Sequence, residues 1–242
     1  MSKLTYLFLV LIAINCAKDS RMKNEVSLNC MPPISTAKNI LVLGNSITEG
    51  SDYRYLLWKQ LVDAGYKHHF VGNRLGAADD YPMYKGLRFS NRHQGVSGIT
   101  TVEVAQQMDA WMKALKAVPD MALIHLGTND AEVVFEGKAT MEEVTSSMRA
   151  IIGALRRKNP KMTIYLAQII PLNTEFPKQN KLVPQINANW AALATELQTD
   201  DSQIILVDCH NGFELGDLGD AWHPNEQGSA KMAQRFAKAI LQ

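Results

Sequence analysis

The chain has 242 residues, of which 46% are hydrophobic and 20% charged, and its formal net charge is +1. These values belong to a soluble globular protein with about one α/β domain and a sizeable core, not to a disordered or low-complexity chain. Near-neutrality without a basic cluster leaves no ground for a nucleic-acid partner.

Met1 to Ala17 read as an export signal rather than as part of the fold. Lys3 supplies a short positive start, and Leu4 to Ile14 form an apolar run too short to span a bilayer. Cys16 closes that run, and the arrangement resembles a bacterial lipoprotein signal whose cysteine is lipidated after cleavage. Ala13-Ile14-Asn15 departs from that pattern in lacking the usual leucine and the small residue before the cysteine, so plain secretion is the alternative. Residues 18–36, polar from Lys18 to Asn29 and without apolar period, read as a flexible tether, leaving 37–242 as the folded domain. Cys30 and Cys209 could pair in an exported protein. Cys209, which follows a predicted strand, reads equally well as a small buried hydrophobe.

In chain order, Ile40 to Leu43 form a β-branched and aliphatic strand that ends abruptly at Gly44-Asn45-Ser46. A strand buried on both faces belongs to a parallel sheet, and ligands bind beyond the carboxyl ends of such strands. A helix follows over about Asp52 to Ala64, with Tyr55, Leu56, Trp58, Leu61 and Val62 on one face and Gly65 as its cap. His69 to Gly72 is a short strand. Residues 73–92 show no period and read as a long loop of the kind that is commonly functional. A helix over about Thr101 to Lys116 and a strand over Met121 to Leu126 come next. The stripe Met141, Val144, Met148, Ile151, Ile152, Leu155 marks a helix stopped by Asn159-Pro160, its methionines filling core. Met162 to Ile170 is a strand, Asn173 to Asn180 a loop, Val183 to Gln198 a helix and Gln203 to Val207 the last strand. A final helix over Asn225 to Leu241 turns Ala233, Phe236, Ala237 and Ile240 inward. Strands alternating with helices predict an α/β fold, a three-layer α/β/α sandwich around a central parallel sheet.

Several polar clusters fall at strand ends or in loops that could share one sheet edge. Ser46 is either a nucleophile or the cap of the next helix. Gly95-Val96-Ser97-Gly98 permits close backbone approach, or is simply a turn. In Gly127-Thr128-Asn129-Asp130 the Asn129 amide could donate to a developing oxyanion, or serve as a turn residue. Asp220-Ala221-Trp222-His223-Pro224 places a carboxylate three residues before a histidine in a tight turn, where it can hold the imidazole tautomer needed to deprotonate a serine. Asp208 and His210 form a competing pair with no partner motif beside them. No histidine falls in a zinc-binding spacing, so no metal is expected.

Taken in order, Ser, Gly, Asn and Asp-x-x-His across Asn39 to Leu241 resemble the SGNH (GDSL-like) hydrolases, a flavodoxin-like α/β fold. Within them the chain is most similar to acetylxylan esterases of carbohydrate esterase family 3. The supporting stretches include Tyr53-Arg54-Tyr55-Leu56, Phe70-Val71-Gly72, His93 to Gly98, Trp111 and His223-Pro224-Asn225. The resemblance implies Ser46 as nucleophile, His223 as general base and then acid, and Asp220 as its orienting carboxylate. Backbone amides of Ser46 and Gly98 with the Asn129 side chain would form the oxyanion hole, without any cofactor. The family usually has Asp where this chain has Asn45. Asn45 together with the loop residues Tyr81, Tyr84 and Arg92 are the candidates to touch substrate. The expected substrate is an acetylated polysaccharide or oligosaccharide, acted on by a monomer whose contact with a membrane is limited to the lipid on Cys16.

Overall fold

The computed structural model describes residues 37–76 and 81–242. The expected export signal, Cys16, Cys30 and the tether all lie outside these residues. Strand β1 (Lys38–Gly44) sits centrally, with β2 (His68–Val71) along its first half and β4 (Arg92–Gly95) along its end on the same side. On its other side come β5 (Met121–His125), β6 (Thr163–Ala167) and β7 (Ile204–Val207), all parallel. Among the described strands only the two-residue β3 (Arg74–Leu75) runs antiparallel, pairing Arg74 with His93 and Leu75 with Arg92. The α/β sandwich expected from the alternating pattern is thus present, with a mostly parallel sheet.

The central strands are apolar at nearly every buried position because each face must meet a helical layer, with His125 at the end of β5 the buried polar exception. Leu41 and Leu43, with Ala122, Ile124, Ile164 and Leu166, point into a core closed by α3 (Thr101–Ala114), α5 (Met141–Lys158) and α7 (Val183–Glu196). Ile40 and Val42, with Leu123, Tyr165 and Ala167, point into the opposite core under α2 (Tyr53–Asp63) and α8 (Glu226–Leu241). On α5 the stripe Val144, Met148, Ile151, Ile152 and Leu155 is fully buried, and the capping box of Thr140 with Glu143 starts the helix where the stripe begins. Cys209 is buried in the second core.

The structure departs from the sequence reading at specific places. Helix α2 buries Tyr53, Arg54 and Leu57 as well as Tyr55, Trp58 and Leu61, whereas Leu56 and Val62 are only half-buried. It is covered by α8 on one side and on the other by Tyr81 and Phe89, which pack on Tyr55 at 4.4 and 5.5 Å between ring centroids. The loop expected over 73–92 therefore holds the strand β3 and an aromatic strap, and its end belongs to β4. Three helices carried no strong period: α1 (Ser46–Gly50), α4 (Thr128–Phe135) and α6 (Pro177–Asn180). Each is short, and α1 and α4 begin directly at strand ends where the polar clusters lie.

Candidate active site

Strand order reverses at β1. The chain adds β2 and β4 on one side and then crosses to β5 on the other, and the carboxyl ends of β1 and β5 open a crevice there. Ser46 follows β1 and Asn129 follows β5, so the topology brings together residues 83 positions apart in sequence. Asn45, not Ser46, caps α1: its side-chain oxygen accepts from the Ile47 amide at 3.0 Å. Ser46 is thereby left as the first helical residue with its hydroxyl free of the cap.

That hydroxyl meets His223, whose Nε2 lies 2.8 Å from Ser46 Oγ. The other ring nitrogen, Nδ1, is 2.8 Å and 3.0 Å from the two carboxylate oxygens of Asp220. An ionised carboxylate only accepts, so Nδ1 carries the proton and Nε2 presents a lone pair to the serine O–H. Asp220 is fixed in turn by the amides of Trp222 and His223, each donating at 2.8 Å. Partial burial pushes the Asp220 carboxyl up, but these donors and the imidazole more than offset it and hold the group below the ordinary carboxylate range. The turn is anchored by Gly219 donating to His223 O, and Asn225 opens α8 by accepting from Gly228.

Opposite the pair lies a segment held from both flanks. Gly98 has φ +76°, a left-handed conformation that only glycine adopts without strain. Asn129, in the first turn of α4, donates through Nδ2 to Ile99 O at 2.8 Å. A side-chain amide carries two N–H bonds, so one remains for the crevice, which Asn129 lines with Ser46 and Gly98. Asp130 is fully buried and accepts from the Thr101 amide and hydroxyl, tying α4 to the start of α3. Burial raises its carboxyl to about 6 despite those donors. Gly95 serves closeness rather than conformation: a Cβ there would sit 2.7 Å from Glu49 N, so α1 can rest on β4 only because that position has no side chain.

The crevice has a volume of about 780 Å³. Many of its lining residues are serine, threonine or asparagine, yet more of its exposed surface is apolar than polar, with Trp222 and Pro224 as the larger apolar side chains. Trp222 leans on Phe176, ring centroids 4.7 Å apart. Asp52, Glu132 and Glu226 stand on the wall, and no Lys or Arg is among the described residues lining it.

A model of the GDSL-like Lipase/Acylhydrolase family matches residues 42–231. The chain belongs to this family. By family it is a carboxylic ester hydrolase. It is 26% identical over 227 residues to an acetylxylan esterase of Xylanibacter ruminicola, a match covering 86% of this chain and 44% of that protein. The chain thus spans less than half the length of that curated relative. Among solved structures it is similar to a carbohydrate esterase family 3 protein from Talaromyces cellulolyticus, at TM-score 0.74 and 26% identity over 85% of this chain and 97% of the other. An acetyl esterase variant solved with an acetate ion aligns at TM-score 0.75 and 26% identity, again covering 85% and 97%.

Of the residues proposed for this GDSL-like hydrolase from sequence, Ser46, His223, Gly98 and Asn129 line the crevice, and Asp220 stands behind His223 on its Nδ1. The four proposed to touch substrate do not line it, and each has a structural occupation instead. Asn45 is 1% exposed and committed to the cap, with its Nδ2 lacking a partner among the described residues. Tyr84 donates to Asp63, and Arg92 reaches Gly72 O on the far edge of the sheet. Tyr81 stacks on Tyr55 and donates to Asp52, so it reaches the crevice only through that carboxylate. The Asp208–His210 pair is a turn: Asp208 accepts from the His210 and Asn211 amides, and His210 Nδ1 lies 3.1 Å from Ile169 O. Sequence reading passed over Glu49, Trp222, Asp130 and Glu132. A signal for Trp222 was present, since it sits directly before the histidine, whereas Glu49 and Glu132 are single acids on short helices.

Proposed function

We propose that this esterase removes O-acetyl groups from a neutral carbohydrate, acetylated xylan or a related polysaccharide. The observation that carries the reading is the wall of the crevice. The wall mixes polar side chains with apolar surface, so a long acyl chain, which needs a continuous apolar channel, would leave those polar groups desolvated and unpaired. A sugar supplies hydroxyls to those groups and an apolar ring face to Trp222. The acids on the wall, unaccompanied by Lys or Arg, disfavour an anionic ester by like-charge repulsion.

In the reaction Ser46 Oγ gives its proton to His223 Nε2 and bonds to the acetyl carbon. Negative charge moves to the carbonyl oxygen, where the amides of Ser46 and Gly98 and the Asn129 side chain can donate to it. As the C–O bond to the sugar breaks, His223 returns the proton to the sugar oxygen and an acetyl-serine remains. Water then repeats the sequence, with His223 first taking and then giving the proton, to release acetate and the free serine.

The test is a chain-length and alcohol series. Turnover kcat/KM is expected to fall from acetyl to octanoyl p-nitrophenyl esters and to be highest on acetylated xylo-oligosaccharides. A preference for octanoyl esters or lysophospholipid would overturn the carbohydrate reading. We further propose export with a lipid on Cys16, for which the amino-terminal pattern is the support. Mass spectrometry of the mature amino terminus would reveal a diacylglyceryl cysteine, and a chain beginning elsewhere without lipid would refute it.

A further inference from the structure

We propose that Glu49 is a positioning residue that sets the oxyanion hole by bridging the nucleophile helix to the Gly98 loop. Two of the three oxyanion donors lie on separate pieces of chain, Ser46 on α1 and Gly98 after β4. Their spacing must be fixed before substrate arrives, because an amide that swings into place during the reaction gives back what it gains in stabilisation. Glu49 stands on α1 within the same short helix as Ser46. Its Oε2 accepts from the Ser97 amide at 2.8 Å and from the Ser97 hydroxyl at 2.6 Å, one residue before Gly98. Its Oε1 accepts from Arg74 Nη2 at 2.7 Å, which anchors the carboxylate to β3.

The bridge is one half of a two-sided clamp. On the far side Asn129 holds Ile99 O and Asp130 holds the Thr101 amide, so the segment 97–101 is gripped from α1 and from α4. The helix bearing Glu49 is itself locked by the buried Arg54, whose Nε donates to Thr48 O and Nη2 to Glu49 O, satisfying carbonyls at the end of α1. Burial would raise the Glu49 carboxyl, but the Ser97 and Arg74 donors bring it down to about 2, so the acceptor stays ionised wherever the enzyme is assayed. Charge-assisted bonds of this kind are short and strong, which suits a rigid spacer. Glu49 does not line the crevice, so it acts on the reaction through the Gly98 amide rather than on substrate.

This inference rests on the serine-esterase reading of Ser46, and the experiment separates the two. Glu49→Gln, Glu49→Ala and Ser97→Ala are compared with the unaltered enzyme on p-nitrophenyl acetate, with active sites counted by a fluorophosphonate. A boronic acid that forms a tetrahedral adduct on serine serves as the transition-state probe. Per active site, Glu49→Ala should lose roughly 30–100-fold in kcat and Glu49→Gln and Ser97→Ala roughly 5–20-fold. KM should stay within about twofold, and boronate affinity should weaken by the same factor as kcat. A merely structural role lowers the count of active sites or the melting midpoint but leaves boronate affinity per site unchanged. Boronate affinity and kcat within twofold of the unaltered enzyme in all three variants would overturn the proposal. An unaltered enzyme that neither turns over the ester nor takes the fluorophosphonate would overturn the esterase reading and this inference with it.

Discussion

At Asn45 and Ser46, adjacent residues with interchangeable capping chemistry divide the work. Either could cap a helix, and from sequence the roles stay open. Asn45 takes the cap, so the Ser46 hydroxyl is available to His223 at 2.8 Å. Removing the carboxylate beneath that histidine should act through the tautomer: Asp220→Asn is expected to lower kcat by about 10²–10⁴ with KM little changed, measured on p-nitrophenyl acetate. Equal kcat in that variant would refute the role. On the proposed mechanism Asn129→Ala removes one oxyanion donor and also frees Ile99 O, so kcat should fall by about 10²–10³. Gly98→Ala forces a β-carbon into a left-handed conformation at a cost of about 1–2 kcal/mol and turns the loop amide away, so stability and kcat should fall together. The serine, glycine, asparagine and histidine were legible because each stands in a polar cluster with its own spacing. The residues proposed to touch sugar were not. Tyr81, Tyr84 and Arg92 have suitable chemistry, but a loop sequence does not say which way a side chain faces: Tyr81 stacks on Tyr55, Tyr84 packs edge-on against Trp58, and Arg92 turns to Gly72 O.

Elements with a long apolar period were legible to within a residue or two, as α5 and α8 show. A two-residue strand such as β3 has no period to read, and its pairing with β4 depends on partners far along the chain. Helix α4 was hidden for another reason: its first turn, Thr128 to Asp130, is spent on the site and on the grip of α3, so its buried face is polar at the start. The base of this region is held by Trp190 of α7, fully buried, whose Nε1 donates to Leu126 O at 3.0 Å just before the Gly127 turn. Trp190→Phe leaves that carbonyl unpaired and opens a void, a loss of about 2 kcal/mol and roughly 4–8 °C in melting midpoint. Thermal denaturation followed by circular dichroism checks this, and an unchanged midpoint would refute the anchoring role.

For the whole molecule, buried titratable groups set how stability depends on pH. Burial holds His93 and His125 down to about 4 from an ordinary 6.5, and neither Nε2 has a partner among the described residues. A folded value below the unfolded one means that the native state resists protonation. The stability tied to these histidines is complete above pH 6.5 and is lost as pH falls toward 4. Glu49 adds a second loss as pH falls from 4.5 toward 2. Asp130 works in the opposite sense: its carboxyl, raised to about 6, costs stability when ionised, and that cost is relieved as pH falls from 6 to 3.8. Burial also lowers His68, so three histidines against one carboxyl leave a net fall between pH 6.5 and 4. Urea denaturation across that range should show it, and His125→Leu should flatten it by on the order of 2–3 kcal/mol. A slope unchanged in that variant would contradict the assignment. None of this was legible from sequence, where His125 is one apolar-flanked histidine among six.

The measurement closest to the central claim is acetate release from acetylated xylan by residues 37–242, compared with the Ser46→Ala variant. The account predicts steady release by the unaltered domain and its disappearance in the variant, with both proteins melting at the same temperature. Equal release from both would contradict a serine mechanism at this crevice. No release from acetylated xylan or acetylated xylo-oligosaccharides, alongside ready turnover of a longer acyl ester, would contradict the carbohydrate assignment.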